Sequence, residues 1–569
     1  MRIRRVMVAF CLASLAACTG VPTSGDVVKV SPANQARVER GVQVHPVAPQ
    51  AGASPDMVLA GFLDAMASLE PGFDVARQYL TPSAAQSWDP RAEVTVFDGD
   101  TRSGLPGSTT AGLQARVVGR LDAQGHYTAD HGRMLRQNFT MQQVQGEWRI
   151  SNPPTGLLVS QYTLRHRFTP TTLWFFARGS QTLVPERIWL ASNPASPLEA
   201  IQALLQGPSG WLAPSATSAI PVGTRLSVAA VGVSDGVAEV PLDDTVAQLP
   251  EPERSRAITQ IAWTLQSFAE IRRVRVTVGG QQWGSELSMD GLPGGSGLPS
   301  MSEEEPLVVV KDVVGQLDDQ GGFTPVAGAF GNQGWKDRPG RIAAAADGGL
   351  LAVVNRDGTR LLSATPGQDR PRERLRAKGL GRPAVTGSGQ LWVASAGDGA
   401  TALHRGQANG AMTTVPVPEL AGSVVVNLAV SPDQTRMAVV LRRGDKTELG
   451  LLRIHGKTVD GYRPMPLRAS QLVLDQVLDV GWTGQDELMV LAAQHPGARA
   501  SGYLVSTDGA QVEPVGPAGD ADLVELATRA QDQAAVVLLR SASGEVLRYG
   551  SPWRWRSLPS RVTSLTIPS

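Results

Sequence analysis

After residue 306 the chain is divided into short apolar runs, and no other feature of the sequence limits the fold as strongly. Each run is about four to eight residues long, and such runs bounded by turn residues predict β-strands. The 61 glycines and 40 prolines of the chain also indicate many turns. The apolar runs lie at residues 307–310, 350–354, 391–394, 424–430, 437–441, 477–480, 488–492 and 534–539.

Two of these segments repeat each other. Residues 347–354 read Asp-Gly-Gly-Leu-Leu-Ala-Val-Val, and residues 432–440 read Pro-Asp-Gln-Thr-Arg-Met-Ala-Val-Val. The second follows Ser431, and its Ser-Pro-Asp turn before a strand is common in β-propeller blades. Repeats of about 40 to 50 residues would place about five or six blades in residues 306–558. We therefore predict an all-β C-terminal propeller, with a split β-sandwich as the alternative.

The region from residue 54 to residue 158 is predicted to be an α+β domain. Leu59, Phe62 and Met66 recur at helical spacing, so the first segment is a helix that buries one stripe. Strand-like segments follow it. Helices that precede a curved antiparallel sheet resemble a cone-shaped domain of the nuclear-transport-factor type, and we expect that fold here.

A second α+β domain is predicted for residues 160–290. Ser196 and Glu199 have the spacing of a capping box at a helix start. The Ser-Asp-Gly turn at residues 234–236 predicts a hairpin. Sheet and helices alternate in a way that predicts one sheet packed against two helices. A Gly/Pro/Ser-rich linker at residues 291–305 separates this domain from the propeller.

The N-terminus is predicted to be a signal peptide, residues 1–17, with three arginines before a short apolar core. Leu-Ala-Ala-Cys at residues 15–18 resembles the bacterial lipobox, which implies that Cys18 becomes an N-palmitoyl and S-diacylglycerol cysteine. Membrane lipid would then be a partner through acylated Cys18, and residues 18–53 would form a flexible tether. A plain signal peptide or a short membrane anchor with an incidental cysteine is the alternative. No cysteine follows Cys18, so the body has no disulfide or thiolate site.

The sequence indicates no catalytic or metal site and no cofactor. Only His126 and His131 are close neighbours among the seven histidines, with Asp130 between them. This pair could ligate a metal, but we interpret it as a polar hairpin loop. Three further acidic pairs are interpreted as solvated turns or surface residues. These pairs are Asp243 with Asp244, Asp318 with Asp319, and Asp520 with Asp522.

Two other groups of side chains could contact a partner. Arg272, Arg273 and Arg275 could meet anionic lipid or an acidic protein, although the polar face of a strand explains them as well. Trp553 and Trp555 are expected to close the last blade rather than to bind sugar. The 52 basic and 52 acidic residues give a net charge of +0, so we expect no nucleic-acid partner.

The middle domain resembles a GerMN domain. The matching segments lie at residues 183–185, 203–208, 219–224 and 235–238. Together, the lipobox, the N-terminal domain, the GerMN domain and the propeller resemble the LpqB family of actinobacterial lipoproteins. The resemblance implies a protein of the cell membrane, lipid-anchored on its extracytoplasmic face, that is not an enzyme.

The family resemblance further implies an accessory role in the MtrA–MtrB two-component system. The expected partner is the extracytoplasmic domain of an MtrB-like sensor histidine kinase, and the expected effect is on the cell envelope and division. The alternative is a peptidoglycan-binding scaffold for cell-wall assembly. A third possibility, a hydrolase housed in the propeller, is disfavoured by the lack of clustered acid, base or metal-ligating residues.

Overall fold

The computed structural model describes residues 46–568 with short gaps. The predicted signal peptide, Cys18, most of the tether and most of the linker lie outside the described residues. Within the described part of the chain, no helix is long and apolar enough to cross a membrane. The gaps are residues 104–107, 193–194, 294–304, 347, 398–399, 408–409, 470–471, 517–518, 532–534, 551–553 and 559–560.

The N-terminal domain packs helices against one sheet, as predicted. Helix Pro55–Ala67 starts with proline at its first position and buries Leu59 and Phe62 in the domain core. Helix Gln161–Arg167 also packs here through Leu164, although sequence analysis starts the second domain at residue 160. The other helices are Asp74–Gln78 and Pro82–Ser87. The strands, in sheet order, are Glu147–Ile150, Met134–Val144, Thr110–Leu121, Val94–Ser103 and Leu157–Ser160, and Tyr127–Ala129 pairs with Thr110–Leu121.

The second domain is an α+β fold with two helices, as predicted, but its strands form two sheets rather than one. Helix Pro197–Leu205 begins with the predicted capping box, in which Ser196 and Glu199 exchange hydrogen bonds. Helix Glu251–Leu265 packs beside it over the same apolar core. The larger sheet contains Gly232–Ser234, Val237–Leu242, Arg273–Val278, Gln281–Gln282 and Leu287–Ser288. The smaller sheet contains Leu183–Leu190, Thr169–Ala177 and Ala216–Thr217.

The described residues after 305 form six blades of four strands each, arranged in a ring. The predicted propeller is therefore confirmed, and the split β-sandwich is not observed. The strands run from the inner to the outer position in each blade except the first. Blade 2 contains the strands Pro339–Ala344, Leu351–Asn355, Arg360–Ala364 and Arg372–Arg376. Blade 3 contains Ala384–Val385, Gln390–Gly397, Ala400–Gln407 and Thr413–Val415. Blade 4 contains Val424–Val430, Arg436–Arg443, Lys446–His455 and Thr458–Met465. Blades 5 and 6 are Gln476–Trp482, Glu487–Ala493, Ser501–Ser506, Val512–Pro514; and Leu523–Arg529, Val536–Ser541, Val546–Gly550, Arg554–Leu558.

Blade 1 closes the ring with strands from both ends of the propeller. Leu307–Val310, Val313–Leu317 and Phe323–Pro325 form its outer part. Its inner strand is Ser564–Thr566, which pairs with Leu307–Val310 and lies beyond residue 558, where sequence analysis ends the domain. The closing strand contacts blades 2 and 6, so neither face of blade 1 is left uncovered as it would be in an open array. A two-stranded hairpin, Leu467–Ala469 with Leu472–Leu474, lies between blades 4 and 5.

Candidate functional site

The inner strands of the six blades surround a central channel with a cavity at each end. One cavity, of about 600 Å³, is lined by residues at which these strands begin, and we call it the far cavity. The other, of about 540 Å³, is lined by residues at which the same strands end, and we call it the near cavity because it is the one closer to the second domain. Thr182 of the second domain also lines the near cavity, so this end faces that domain. Volumes of this size are typical of small-molecule sites.

The two ends of the channel differ in chemistry. The near cavity is lined mainly by small and apolar side chains, among them Val430, Val480 and Ile567. Its large aromatic residue, Trp482, donates its indole N–H to the carbonyl of Ala429 at 3.1 Å. Two charged side chains, Arg382 and Arg529, also line the near cavity, whereas six charged side chains line the far cavity. The two ends would therefore accept different kinds of ligand.

A buried ion pair lies between the two ends. Asp479, on the inner strand of blade 5, has no exposed surface. Its carboxylate accepts hydrogen bonds from Arg382 at 2.5 and 3.0 Å. It also accepts the backbone N–H groups of Val480 and Leu526, both at 2.8 Å. A buried charge with this number of donors is compensated, so the pair ties three blades together.

A second ion pair extends the first toward the far cavity. Glu525, on the inner strand of blade 6, accepts a hydrogen bond from Arg540 Nε at 2.7 Å. Its other oxygen accepts the hydroxyl of Ser564, on the closing strand, at 2.9 Å. Arg382 Nη1 lies 4.0 Å from the same carboxylate. We call Arg382, Asp479, Glu525 and Arg540 the channel cluster.

Burial changes the titration of Asp479. Loss of hydration raises the pKa of Asp479 to about 6, and Arg382 and the two backbone donors oppose this rise. The carboxyl group is therefore still largely ionised at pH 7. The ion pair of Asp479 with Arg382 therefore persists at pH 7, and both carboxylate oxygens of Asp479 still accept hydrogen bonds.

A second, partly buried group of charges joins the second domain to the propeller. Arg187 donates to Asp486 of blade 5 through Nη2 at 2.8 Å and through Nε at 3.1 Å. Its remaining Nη1 donates to Gln511 at 2.8 Å. This fork-like pairing fixes the orientation of the two domains because both contacts are directional.

Trp189 extends this contact to all three domains. Its indole N–H donates to Asp508 of the propeller at 2.8 Å. Its ring packs in the core of the N-terminal domain, and its backbone N–H donates to the carbonyl of Gly125 at 2.9 Å. Asp508 lies in a turn after Ser506, where its other oxygen accepts the N–H of Ala510 at 3.0 Å.

His126 completes the contact from the N-terminal domain. Its Nδ1 lies 3.1 Å from Asp122, and its Nε2 lies 3.6 Å from Glu186 of the second domain. Burial lowers the pKa of His126, but the two carboxylates outweigh this effect and raise it to about 9. The imidazole is therefore charged at neutral pH. We call His126, Glu186, Arg187, Asp486 and Asp508 the junction cluster.

The structure places His126 and His131, the two neighbouring histidines, in two different settings. His126 belongs to the junction cluster, whereas His131 is exposed and contributes its backbone carbonyl to a hydrogen bond from Arg468 at 2.7 Å. Asp130 accepts the backbone N–H groups of Gly132 and Arg133 within the same loop. Among the described residues, no group of three or more His, Cys, Asp or Glu side chains could hold a metal ion.

The acidic pairs lie at turns and on the surface. Asp243 caps the short 3₁₀ helix that contains Asp244, and it accepts the N–H of Thr245 at 3.1 Å. Asp318 accepts two backbone N–H groups in a hairpin turn, and Asp319 pairs with Arg548 of blade 6.

Asp520 and Asp522 are both exposed, and Asp520 pairs with Arg499 at 2.7 Å. Asp522 accepts the backbone N–H of Ala542 through its own carbonyl, at 2.7 Å. None of these groups faces either channel cavity.

The remaining candidates are surface residues or lie outside the described chain. Arg273 and Arg275 both pair with Glu286 at 2.8 Å, whereas Arg272 is exposed. Trp555 packs against Tyr549 of the last blade, with ring centroids 5.0 Å apart. Trp553 and Cys18 lie outside the described residues.

The channel cluster was not predicted from the sequence. One signal was available, because Asp479 is the single charged residue in the apolar run 477–480. A carboxylate in a buried strand requires a partner. Its partner, Arg382, is 97 residues away in the sequence, so the pairing depends on the closure of the ring.

Three family models match the chain in the order of its domains. The model of the lipoprotein LpqB N-terminal domain matches residues 48–165. The Germane model, described as sporulation and spore germination, matches residues 172–283, and the lipoprotein LpqB beta-propeller model matches residues 312–569. Lipoprotein LpqB of Cutibacterium acnes is 30% identical over 595 residues, which cover 99% of each chain. The chain belongs to the LpqB lipoprotein family.

The predicted resemblance to this family is therefore confirmed. Lipoprotein LpqB of Thermobifida fusca is also similar, with 28% identity over 581 residues that cover 89% of this chain and 90% of the relative. Both relatives have the name of a lipoprotein rather than of an enzyme, and membership of a lipoprotein family implies membrane anchoring.

Two solved structures show more distant similarity. TolB from Acinetobacter baumannii is 11% identical, covers 58% of this chain and 86% of its own, and has a TM-score of 0.37. The tandem GerMN domains of GerM from Bacillus subtilis are 18% identical, cover 21% of this chain and 46% of their own, and have a TM-score of 0.19.

Proposed function

We propose that this LpqB-family protein is anchored by acylated Cys18 on the extracytoplasmic face of the cell membrane and acts there by binding. Its proposed partner is the extracytoplasmic domain of an MtrB-like sensor kinase, and its proposed role is to modulate MtrA–MtrB signalling in envelope and division homeostasis. The observation that carries this proposal is the match to lipoprotein LpqB over 99% of both chains.

Two features support a binding role. The junction cluster joins three domains through directional hydrogen bonds, so residues 46–568 present loops and strands in fixed relative positions. Recognition commonly uses loops on a rigid scaffold of this kind. Lipidation of Cys18 would also confine the protein to the membrane and raise its effective concentration for a membrane kinase.

Chemical crosslinking in intact cells tests the choice of partner. The full chain with a C-terminal tag is crosslinked, purified from membranes and analysed for attached proteins. We expect sensor-kinase peptides from wild type. Recovery of kinase peptides at the level of an untagged control would contradict the proposed partnership.

Metabolic labelling with a palmitate analogue tests the anchor independently. We expect wild type to be labelled and Cys18→Ser to remain unlabelled, because the thiol is the site of acylation. Equal labelling of both forms would show that Cys18 is not the lipid-bearing residue.

Co-sedimentation with purified peptidoglycan distinguishes the scaffold alternative from the kinase proposal. We expect the full chain to remain in the supernatant in detergent. Saturable sedimentation with peptidoglycan, together with no capture of the kinase, would favour the scaffold.

A further inference from the structure

The far cavity of the propeller channel has an excess of cationic side chains. Four arginines and two carboxylates line its volume of about 600 Å³. Arg356 at its rim pairs with Asp312 outside the cavity lining, and its side chain is 47% exposed, so the cavity reaches the protein surface. The lining arginines are Arg341, Arg356, Arg382 and Arg540, and the carboxylates are Asp479 and Glu525.

Both carboxylates are already occupied. Asp479 accepts four hydrogen bonds, two from Arg382 and two from backbone N–H groups. Glu525 uses one oxygen for Arg540 and the other for Ser564. A cation that entered the cavity would therefore have to displace existing donors, and the site does not favour a positively charged ligand.

The arginines, in contrast, retain donor groups. Among the described residues, Arg341 donates one hydrogen bond, from Nη1 to the carbonyl of Leu380 at 3.2 Å. Arg540 uses Nε and Nη1 for Glu525 and the carbonyl of Ser541. A guanidinium group has five N–H donors, so both arginines have N–H groups that a ligand can accept.

We propose that the far cavity binds a small oxyanion, that is, a molecule that carries carboxylate or phosphate groups. Planar guanidinium groups bind both kinds of group with two parallel hydrogen bonds. The volume suits a molecule rather than a single ion. The ion pair of Arg382 with Asp479 forms the inner wall, and it separates this polar site from the apolar near cavity.

Isothermal titration calorimetry tests the site with citrate and glycerol 3-phosphate as probes. The purified full chain in neutral detergent is compared with Arg341→Gln and with Arg499→Gln. Arg499 is a matched control, because its side chain is 70% exposed on blade 5 and pairs with Asp520 away from the cavity. Arg341 is also exposed and makes one described contact, so its substitution is expected to preserve the fold.

We expect saturable binding of at least one probe to wild type, and at least tenfold weaker binding to Arg341→Gln. Arg499→Gln should bind as wild type does. Circular dichroism melting curves verify that each variant is folded. If Arg341→Gln is unfolded, Arg356→Gln replaces it, because Arg356 is at the rim and half-exposed.

A competition arm distinguishes a free anion from a lipid headgroup. Phosphatidylglycerol is added to the detergent micelles at a fixed concentration of the bound probe. Competition supports the site as a receptor for a phosphate headgroup, and lack of competition supports it as a receptor for a soluble oxyanion. The proposal is overturned if neither probe binds to wild type. It is also overturned if the cavity variant, Arg341→Gln or its replacement Arg356→Gln, binds the probe as tightly as Arg499→Gln does.

Discussion

Two groups of charges in the described part of the molecule, the junction cluster and the channel cluster, differ in what surrounds them. The junction cluster encloses a cavity of only about 40 Å³, so protein atoms fill the space between its three domains. The channel cluster lies beside a cavity of about 600 Å³. Both groups pair arginine with aspartate at hydrogen-bond distance.

This difference separates an architectural role from a binding role. Charges that contact only other protein groups fix the relative positions of domains. Charges that also border an open volume retain donors for a ligand, as Arg341 and Arg540 do. Burial of charge alone therefore does not identify a binding site in this molecule, and the free volume beside it does.

The largest loss of stability should come from a substitution in the channel cluster. Asp479→Ala leaves Arg382 without its carboxylate in a buried position, and loss of one partner of a buried pair costs about 3–5 kcal/mol. We expect the free energy of unfolding to fall by that amount in urea denaturation. Asp520→Ala is the control, since the side chain of Asp520 is 97% exposed. Equal stability of the two variants would show that the ion pair does not support the ring.

The junction cluster should give a smaller effect of a different kind. Arg187→Ala leaves Asp486 without its strongest donor, but both side chains are partly exposed, at 16% and 21%. We expect a loss of about 2–3 kcal/mol. Because Arg187 joins two domains, unfolding should also become less cooperative and show separate transitions.

Arg272→Ala is the matched control for the junction, because Arg272 is exposed in the same domain. A single transition with wild-type cooperativity in Arg187→Ala would mean that the apolar contacts of Trp189 hold the domains together without the ion pair.

Local structure could be predicted from the sequence, whereas neither the channel cluster nor the junction cluster could. The capping box at Ser196 and the hairpin turn at residues 234–236 depend on neighbouring residues, and both are present as predicted. The propeller followed from the repeat and the lengths of its strands. Arg187 and Asp486 are 299 residues apart, and no local pattern links them. Their pairing is set by how the folded domains pack, which a single sequence does not reveal.

A pH titration distinguishes the two clusters further. The pKa of His126 is raised from its ordinary value of 6.5 to about 9, so its contribution to stability is fully present below pH 6.5 and is lost as pH rises through 9. We expect wild type to lose about 2–3 kcal/mol of stability between pH 7 and pH 10 relative to His126→Gln. The measurement is urea denaturation at each pH. Parallel pH profiles for the two proteins would show that His126 is not held in its charged form.

The smallest effect should come from charges that belong to neither cluster. Arg273 and Arg275 pair with Glu286 on the surface of the second domain, where the arginine side chains are 50% and 38% exposed. Exposed pairs gain little because water and salt screen them, so Glu286→Gln should cost less than about 1 kcal/mol. Raising the salt concentration to about 1 M should reduce even this difference, whereas the cost of Asp479→Ala should change little because buried charges are screened less. A salt-independent cost above that limit would place Glu286 with the buried clusters and would remove the distinction between paired surface charges and paired buried ones.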